Sequence, residues 1–528
     1  MISSWWSRLT NRGSRLTDKD VDYNLLDQVR TAKISSDLRE IFRVSAKRSP
    51  DSIVKQLPAV LAHLRTASWP TIEIEKVRAY ADFFSGANAR GYQRVMQHDL
   101  ARQDYALFMT TCVHCYIADK FAEGAALLDI FEPEADPLTD WFEYWAFAGY
   151  IYFAAGKSIE ESLVFFDQAL ELGGFSVLLA TNAYPIYFEA GNLEKCRKLR
   201  ELIEHNCTDD PEAIYAVAGV ELARDYYGEG FRLMESRYQM PELSRTIKIS
   251  LLQRTRWGQE NLAGKRLLVH GEQGLGDMIM MCRYLPLLHA QGAILLVDGR
   301  TEARSLILHN FPWCLFLEVD LQSPVIEQFD YWTGMMSLPY HFKSTAFNIP
   351  SKAGYLLVPE EQQTYWNDRV QPYAGSSQRR VGLTWSGNPA HRADRRRSMS
   401  FELMCSLVRR HPDIQFFSLQ THVPQGRPEN MIDIADELLT LADTAAVITK
   451  MDLVISVDTS AVHLAGALGC PTWLLLPYRY EWRWGLEGEG NAWYSSVRVM
   501  RQRQHGAWAE LLENVSSALQ NHFNTSGD

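Results

Sequence analysis

Residues 266–288 read RLLVHGEQGLGDMIMMCRYLPLL, and this stretch decides how the C-terminal half of the chain folds. Its first residues form an apolar run of the length expected for a buried strand. A glycine-rich turn follows, in which Gly274 and Gly276 precede Asp277. The apolar residues beyond this turn recur at helical spacing: Met278, Met281, Cys282, Leu285 and Leu288. Strand, glycine turn and helix together predict an α/β sheet that presents residues at the carboxyl ends of its strands.

Strand and helix patterns alternate through the rest of this half. Strand patterns occupy 292–299, 329–332, 380–385, 414–420, 452–457 and 472–477, and helix patterns occupy 302–311, 401–411, 444–451 and 460–468. Alternation in two blocks, 257–372 and 378–528, predicts two Rossmann-like lobes with parallel sheets that face a cleft. Residues 257–264 are interpreted as a linker into the first block, and 360–378 as a polar connection between the blocks.

The N-terminal half is predicted to be helical. Residues 1–95 carry apolar stripes at helical spacing, and a repeat follows within 96–245. The hexapeptide IYFAAG at 151–156 recurs 35 positions later as IYFEAG at 186–191. Helix pairs with a period near 34 residues resemble a tetratricopeptide-like solenoid, whose groove binds a peptide or protein. The predicted fold class is therefore α + α/β.

The composition limits the possible binding partners of the protein and its cellular compartment. The net charge of −11 excludes nucleic acid binding through a generally basic surface. Cys112 and Cys115 flank His114, but no second ligand pair follows at zinc-site spacing, so a packed helix is favoured over a metal site. Eight scattered cysteines indicate reduced thiols and a cytoplasmic protein.

Membrane attachment finds little support in the sequence. No apolar run approaches the ~20 residues that a transmembrane helix requires. The N-terminal segment places Trp5 and Trp6 among three arginines, at Arg8, Arg12 and Arg15. Weak peripheral membrane contact is one interpretation of this segment, and a frayed terminus or a helix docked on the next domain is the other.

Asp277 is the first candidate for chemistry. A carboxylate in the first turn of a helix can act as a base toward an acceptor hydroxyl. The flanking Gly274 and Gly276 let a substrate approach the backbone closely. A simple helix cap is the alternative role for this aspartate.

A second candidate site begins with Ser386, Gly387 and Asn388 at a predicted strand end. A basic run follows and includes Arg395 and Arg397, which suit the charge of a departing diphosphate. A solvated basic loop is the alternative.

A third candidate site lies where the strand pattern 452–457 gives way to a helix. Asp458, Thr459 and Ser460 lie at the helix start, where free backbone N–H groups bind anions, and His463 follows within reach. A capping aspartate with a core histidine is the alternative. The later cluster PYRYEWRW, 477–484, offers Trp482 for stacking on a nucleobase or for aromatic packing between the lobes.

Four segments in this order resemble the family 9, heptosyltransferase-like glycosyltransferases, and more closely the bacterial proteins in which that domain follows tetratricopeptide repeats. The segments are GEQGLGDMIMMCRYLPLL, VGLTWSGNPAHRADRRRS, DLVISVDTSAVHLAGALGCPTWLLLP and EWRW, within about 257–504. The resemblance implies a GT-B fold and an inverting reaction without metal or cofactor beyond the nucleotide-sugar co-substrate. It also implies site roles: base for Asp277, phosphate contact for Arg397, and donor binding for Asp458, Thr459, Ser460 and His463.

These observations predict a glycosyltransferase with an acceptor lobe at 257–372 and a nucleotide-sugar donor lobe at 378–528. The helical repeats are expected to recruit a protein acceptor. The lipopolysaccharide heptosyltransferases lack the long helical front half, so the sugar and the acceptor stay open. Two alternatives remain, an envelope-saccharide transferase and a scaffold that binds a nucleotide without turnover.

Overall fold

The computed structural model describes residues 50–102, 104–118, 120–129, 142–172, 177–206, 211–240, 255–317, 329–373, 379–388, 394–478, 481–504 and 506–524. The chain divides into two compact units, Met1–Gly174 and Phe175–Asp528. The N-terminal tryptophan-rich segment, whose sequence is compatible with weak membrane contact, lies outside the described residues. Within the described ranges, no helix combines the length and the apolar character needed to cross a bilayer.

The described part of the first unit is helical. Its helices are α1 (Pro50–Thr66), α2 (Thr71–Phe84), α3 (Asn88–Gln97), α4 (Tyr105–Ile117), α5 (Phe121–Asp129), α6 (Phe142–Ala154) and α7 (Ile159–Glu171). Consecutive helices pack on one another, and a Cβ on Gly149 would approach the Phe166 ring to 3.0 Å. Cys112 and Cys115 are buried in α4, where burial raises the pKa of the Cys115 thiol to about 12. Both thiols are therefore neutral core side chains at physiological pH.

The second unit begins with two further helix pairs. These are α8 (Val177–Glu189) with α9 (Leu193–Asn206), and α10 (Pro211–Ala223) with α11 (Tyr227–Met234), followed by a 3₁₀ helix at Glu235–Gln239. The two helices that end within the repeated hexapeptides, α6 and α8, close with the same kind of turn. Gly156 and Gly191 take the left-handed conformation, at φ +81° and +70°, and Asp225 does so after α10 at +64°.

Hydrogen bonds explain why this turn repeats. The N–H of Lys157 donates to the Tyr152 carbonyl, and the N–H of Asn192 donates to the Tyr187 carbonyl, which is the six-to-one bond of a Schellman cap. Glycine adopts the required φ at no steric cost. The repeated hexapeptides therefore mark helix ends, while a tetratricopeptide solenoid as such stays a prediction.

The first lobe contains a four-stranded parallel sheet in the order β3-β2-β1-β4. The strands are β1 (Arg266–His270), β2 (Ile294–Asp298), β3 (Leu315–Leu317) and β4 (Tyr331–Gly334). The helices are α12 (Leu275–Met281), α13 (Leu285–Ala290), α14 (Arg304–Asn310) and α15 (Leu338–His341). A 3₁₀ turn at Cys282–Tyr284 separates α12 from α13, and the apolar residues predicted to line this helical stretch are buried.

The second lobe contains a six-stranded parallel sheet in the order β10-β9-β8-β5-β6-β7. Its strands are β5 (Arg379–Thr384), β6 (Ile414–Ser418), β7 (Met431–Asp433), β8 (Leu453–Val457), β9 (Thr472–Leu476) and β10 (Val497–Arg501). The helices of this part of the chain are α16 (Glu360–Val370), α17 (Asp394–Arg397), α18 (Phe401–Arg409), α19 (Leu441–Ile448), α20 (Ser460–Ala467) and α21 (Trp508–Asn524). Two parallel sheets with helical crossovers confirm the predicted α/β architecture.

Two segments interpreted as connections are packed parts of the fold. Residues 360–370 form α16, which packs on α19, and the buried Trp366 donates through Nε1 to Asp443 Oδ1 at 3.1 Å. Trp257 is also buried, and its N–H donates to the Trp332 carbonyl of β4 at 2.8 Å. The buried apolar side chains are few, Trp366 and Val370 in one segment and Trp257 and Leu262 in the other, so both sequences look polar.

A buried ion pair joins the 3₁₀ helix at Glu235–Gln239 to the first lobe. Arg237 donates through Nε and Nη2 to the two carboxylate oxygens of Glu272, at 2.8 and 2.6 Å. The side chains are 1% and 2% exposed, and Ser337 Oγ accepts a further bond from Arg237 at 2.8 Å. The helix pairs at 177–234 therefore belong to the same compact unit as the sheets, whereas the predicted domain bounds at 245 and 257 stay predictions.

Candidate active site at the facing sheet edges

The two helices that follow β1 and β8 meet between the lobes. Helix α12 leaves the carboxyl end of β1, α20 leaves the carboxyl end of β8, and the two helices pack on each other. Gly276 of α12 lies against His463 of α20, and a Cβ at residue 276 would come within 2.5 Å of the His463 ring carbon Cδ2. The carboxyl edges of both parallel sheets therefore open on one shared region, where α/β proteins place ligands.

Asp277 is the third residue of α12 and faces this region. Its Oδ2 accepts the backbone N–H of Gly274 at 3.0 Å, so the carboxylate caps its own helix. Its Oδ1 accepts Nε of Arg483 at 2.8 Å, and Nη2 of the same guanidinium donates to the same oxygen. The side chain is 12% exposed. Asp277 is therefore a helix cap that lies at the shared sheet edge, and its role as a base stays a prediction.

Arg483 belongs to a 3₁₀ turn at Trp482–Trp484, which follows β9. Besides Asp277, its guanidinium pairs with the Glu481 carboxylate and donates to Gln273 Oε1 at 3.1 Å. The Trp482 ring covers one face of the guanidinium at 4.3 Å from the ring centroid. We refer to Asp277, Asp458, Glu481 and Arg483 as the Arg483 cluster. Its bond between Asp277 and Arg483, which are 206 positions apart in the sequence, joins the first lobe to the second.

Two features in or next to this cluster depart from ordinary structure. Gln273 has a φ of +66°, a left-handed conformation that is uncommon for a residue other than glycine and that recurs at functional sites. Burial raises the pKa of the Glu481 carboxyl to about 7, although Arg483 opposes that shift. Near neutral pH, three carboxyl groups therefore surround one guanidinium, and one of them is partly protonated.

The predicted anion site at the start of α20 lies beside this cluster. Asp458 accepts Nε1–H of the fully buried Trp484 at 3.0 Å. Thr459 is the N-cap residue of α20, and its hydroxyl accepts the Ala461 N–H at 3.3 Å. Ser460 is the first residue of the helix and is half-buried. The first turn of α20 thus keeps further backbone N–H groups pointing at the shared sheet edge.

His463 is buried between aromatic rings. Its ring lies 5.0 Å from Trp484 between centroids, and its Nδ1 is 3.0 Å from the Tyr494 hydroxyl. Burial lowers the pKa of His463 to about 4. The imidazole is therefore neutral at physiological pH, so it can offer a hydrogen bond to a ligand but no positive charge.

The predicted diphosphate loop follows the neighbouring strand β5. Ser386 donates its N–H to Gln420 Oε1 at 3.0 Å, and Gly387 donates its N–H to Ser398 Oγ at 2.9 Å. Arg397 lies against Gly387 and donates through Nε to Asp394 Oδ1 at 3.2 Å. Asn388 is exposed at the end of this loop. Arg395 lies in α17 but its side chain, like residues 389–393, lies outside the described part of the structure.

Adjacent strands bring these two predicted sites together. Thr384 of β5 pairs in register with Ser456 of β8, so the loops that follow the two strands start side by side, about 5 Å apart. Thr384 is 4% exposed and its hydroxyl has no hydrogen-bond partner within the described part of the chain. An unpaired buried hydroxyl at this edge is a polar group that a ligand could satisfy.

The sequence did not predict Arg483, Glu481 or Trp484 as site residues, although it identified the segment that contains them. Trp482 lies edge-on to Phe231 and Trp493, at 5.9 and 6.2 Å between ring centroids. Stacking of Trp482 on a nucleobase stays a prediction. Among the described residues, no group of three His, Cys, Asp or Glu side chains is placed to hold a metal ion.

No family model matches this sequence. Protein FlbA of Caulobacter vibrioides is 29% identical to it over 392 residues, which cover 68% of this chain and 64% of that protein. The chain thus spans less than two thirds of the length of this curated relative.

Three solved structures are similar to this one at low identity. ADP-heptose lipopolysaccharide heptosyltransferase II of E. coli is 15% identical, with a TM-score of 0.38 over 50% of this chain and 100% of that chain. A family 9 glycosyl transferase from Veillonella parvula is 11% identical, with a TM-score of 0.35 over 50% of this chain and 99% of that chain. An O-GlcNAc transferase mutant from Thermobaculum terrenum is 11% identical, with a TM-score of 0.27 over 90% of this chain and 93% of that chain.

Proposed function

We propose that this protein is an inverting glycosyltransferase that moves a sugar from a nucleotide-sugar donor to an acceptor hydroxyl. One observation carries the proposal: Asp277 at the start of α12 and the Asp458–His463 segment at the start of α20 come from different sheets and meet at one edge. A base on one lobe and an anion site on the other is the arrangement that this reaction needs. The four sequence segments that resemble family 9 glycosyltransferases include both of them.

The first turn of α20 is suited to the phosphate groups of the donor. Backbone N–H groups at a helix N-terminus bind anions, and the hydroxyls of Thr459 and Ser460 add further donors there. Arg397 and the N–H groups that follow β5 lie on the adjacent loop. Together these groups would stabilise the negative charge that develops on the departing nucleotide.

Asp277 is suited to the proton transfer. The acceptor oxygen attacks the anomeric carbon, the bond from that carbon to the donor phosphate oxygen breaks, and the acceptor proton passes to the Asp277 carboxylate. The configuration at the anomeric carbon is inverted because the acceptor attacks on the face opposite to the departing phosphate. Neutral His463, fixed beside Gly276, would hold the sugar or phosphate by a hydrogen bond and contribute no charge.

We further propose that the acceptor is a protein and that the helix pairs recruit it. The proximity of these helices to the site supports this: Gln273, in the glycine turn before α12, lies 3.5 Å from the Tyr215 hydroxyl of α10. A saccharide acceptor from the cell envelope is the alternative. Transfer assays with protein and glycan acceptors, using the full chain, would separate the two.

A scaffold that binds a nucleotide without turnover is a second candidate function. It is favoured by the contacts of Asp277, which caps its helix and pairs with Arg483 as a purely structural residue would. Turnover therefore has to be measured separately from binding.

The proposal is tested by thermal shift followed by turnover. The full chain is screened against ADP, GDP, UDP and CMP sugars, and a ligand far above its dissociation constant should raise the melting temperature by several degrees. The shift should be lost in Asp458→Ala. Release of nucleotide from the stabilising donor should fall at least ~100-fold in Asp277→Asn while the thermal shift persists. Binding without turnover in the unmodified protein would favour the scaffold, and no shift with any donor would overturn the donor site.

A further inference from the structure

The side-chain contacts of Arg483 suggest a role that the proposed reaction does not include. Its Nε and Nη2 both donate to Oδ1 of Asp277, so both lone pairs of that oxygen are used. Oδ2 already accepts the Gly274 N–H at 3.0 Å. Three hydrogen bonds therefore occupy this carboxylate, and an acceptor hydroxyl has to compete with the guanidinium for Oδ1. Oδ1 of Asp277 can accept a proton from a substrate only when Arg483 has another partner.

A phosphate group is the partner that a guanidinium prefers. Arginine binds phosphate through a bidentate pair of charge-assisted hydrogen bonds, and these are stronger than bonds to neutral groups. The next residue in the turn, Trp484, donates to Asp458 at the start of α20. Consecutive Cα atoms are 3.8 Å apart, so one short turn places Arg483 between Asp277 and the proposed phosphate site.

The surrounding charges favour exchange of partners over a permanent pair. Asp277, Glu481 and Asp458 all interact electrostatically with the Arg483 guanidinium. Because Arg483 also pairs with Glu481, the loss of its contact with Asp277 leaves the guanidinium paired. His463 is neutral and does not compete with it for an anion. The side chain is 15% exposed, so a ligand can reach it.

We propose that Arg483 is a positioning residue with two alternative partners, the carboxylate of Asp277 and a phosphate of the nucleotide-sugar donor. This inference rests on the proposed donor site. Binding of the donor transfers the guanidinium to the phosphate and thereby releases Oδ1 of Asp277 for the acceptor proton. Oδ1 is then available to the acceptor hydroxyl only when a donor is bound.

A double-mutant cycle on nucleotide binding tests this exchange. Dissociation constants for ADP, GDP, UDP and CMP are measured by calorimetry on the full chain, and the nucleotide that binds is used for all variants. Arg483→Gln should weaken its binding roughly tenfold or more, because a charged hydrogen-bond pair is lost. Asp277→Asn should tighten binding several-fold, because Arg483 no longer has to leave a carboxylate. Arg483→Gln/Asp277→Asn should bind like Arg483→Gln alone.

The combined variant separates the exchange from simple charge effects. If Asp277→Asn tightened binding equally in the Arg483→Gln background, the removed negative charge alone would explain it and the proposal would be wrong. Unchanged or weaker binding by Asp277→Asn would also overturn it. If Arg483→Gln did not fold, the sign of the Asp277→Asn effect would still decide, with Arg483→Lys expected to bind a few-fold more weakly. Failure of the unmodified protein to bind any nucleotide would instead contradict the proposed function itself.

Discussion

Gly276 and His463 touch so closely that residue 276 has no room for a side chain. A Cβ there would lie 2.5 Å from Cδ2 of the imidazole and 3.2 Å from Nε2. His463 cannot retreat, because Trp484 and Tyr494 pack on its ring. This glycine therefore fixes the spacing of α12 and α20, and with it the distance between the two lobes at the candidate site.

Gly276→Ala should separate the two helices and weaken both the fold and the site. Overpacking of this kind costs about 1–3 kcal/mol, and the melting temperature should fall by a few degrees. Gly219→Ala in α10 is the matched control, because a Cβ there meets nothing within 4 Å. The control should be neutral or slightly stabilising. Equal melting temperatures for the two variants would show that the helix contact is not tight.

The ion pair between Arg237 and Glu272 should be costly to break. Arg237→Met leaves the Glu272 carboxylate buried without its cation, which typically costs about 3–5 kcal/mol. The matched control is Arg232→Met on α11, whose pair with Glu229 is 55% and 35% exposed and should contribute at most ~1 kcal/mol. Chemical denaturation of both variants measures the difference. Similar losses of stability would contradict the burial of the Arg237 pair.

Protonation of Glu481 should strengthen nucleotide binding at mildly acidic pH. Its pKa is raised to about 7 by burial, so the carboxyl is mostly neutral at pH 6 and mostly ionised at pH 8. A neutral group repels an incoming phosphate less, so the affinity should be roughly three- to tenfold higher at pH 6 than at pH 8.

Glu481→Gln is the control for this pH dependence. Its side chain is neutral at both pH values. Any pH dependence of the affinity that remains in this variant is therefore caused by ionisation of the nucleotide. Calorimetric titrations at the two pH values measure both proteins. An identical pH dependence in the variant and the unmodified protein would rule out a role for Glu481.

His463 should make the second unit sensitive to acid. Its pKa is about 4 in the fold and near 6.5 in an unfolded chain, so the neutral ring contributes stability that is present above pH 6.5 and lost as the pH falls through 4. The full difference corresponds to about 3 kcal/mol, of which roughly 2 kcal/mol is lost between pH 7 and pH 5.

The measurement is the melting temperature at pH 7 and pH 5, for the unmodified protein and for His463→Gln. The variant has no titrating group at this position, so its melting temperature should fall less on acidification. Its lower absolute stability does not matter, because only the change with pH is compared. Parallel decreases in both proteins would show that other groups cause the acid sensitivity.

Much of the α/β architecture could be predicted because buried parallel strands are continuous apolar runs. The runs at 267–269, 452–457 and 472–477 each became a strand of a sheet. The three-residue strands β3 and β7 were missed, because so few residues carry no detectable period. The sequence of helix α16 resembles a polar connection because Trp366 and Val370 are its only buried side chains.

The candidate site could be predicted only in part, for a different reason. Asp277 and the Asp458–His463 segment were identified from local patterns, a glycine turn and a strand-to-helix junction. The ion pair between Asp277 and Arg483 spans 206 positions and leaves no local pattern. A single sequence indicates that EWRW is unusual, but only the fold shows which of its residues faces the carboxylate.

The aromatic contacts of α11 bear on how this chain can be divided. Tyr227 stacks on Trp493 at 5.5 Å between ring centroids, and Phe231 lies edge-on to Trp482, whose ring covers Arg483. A fragment that starts at residue 257, where the composition changes, would expose the indoles of Trp482 and Trp493 to water. Such a fragment should aggregate and lose the support of its arginine. In evolutionary terms, α11 cannot be exchanged for another helix without altering the aromatic packing that supports Arg483.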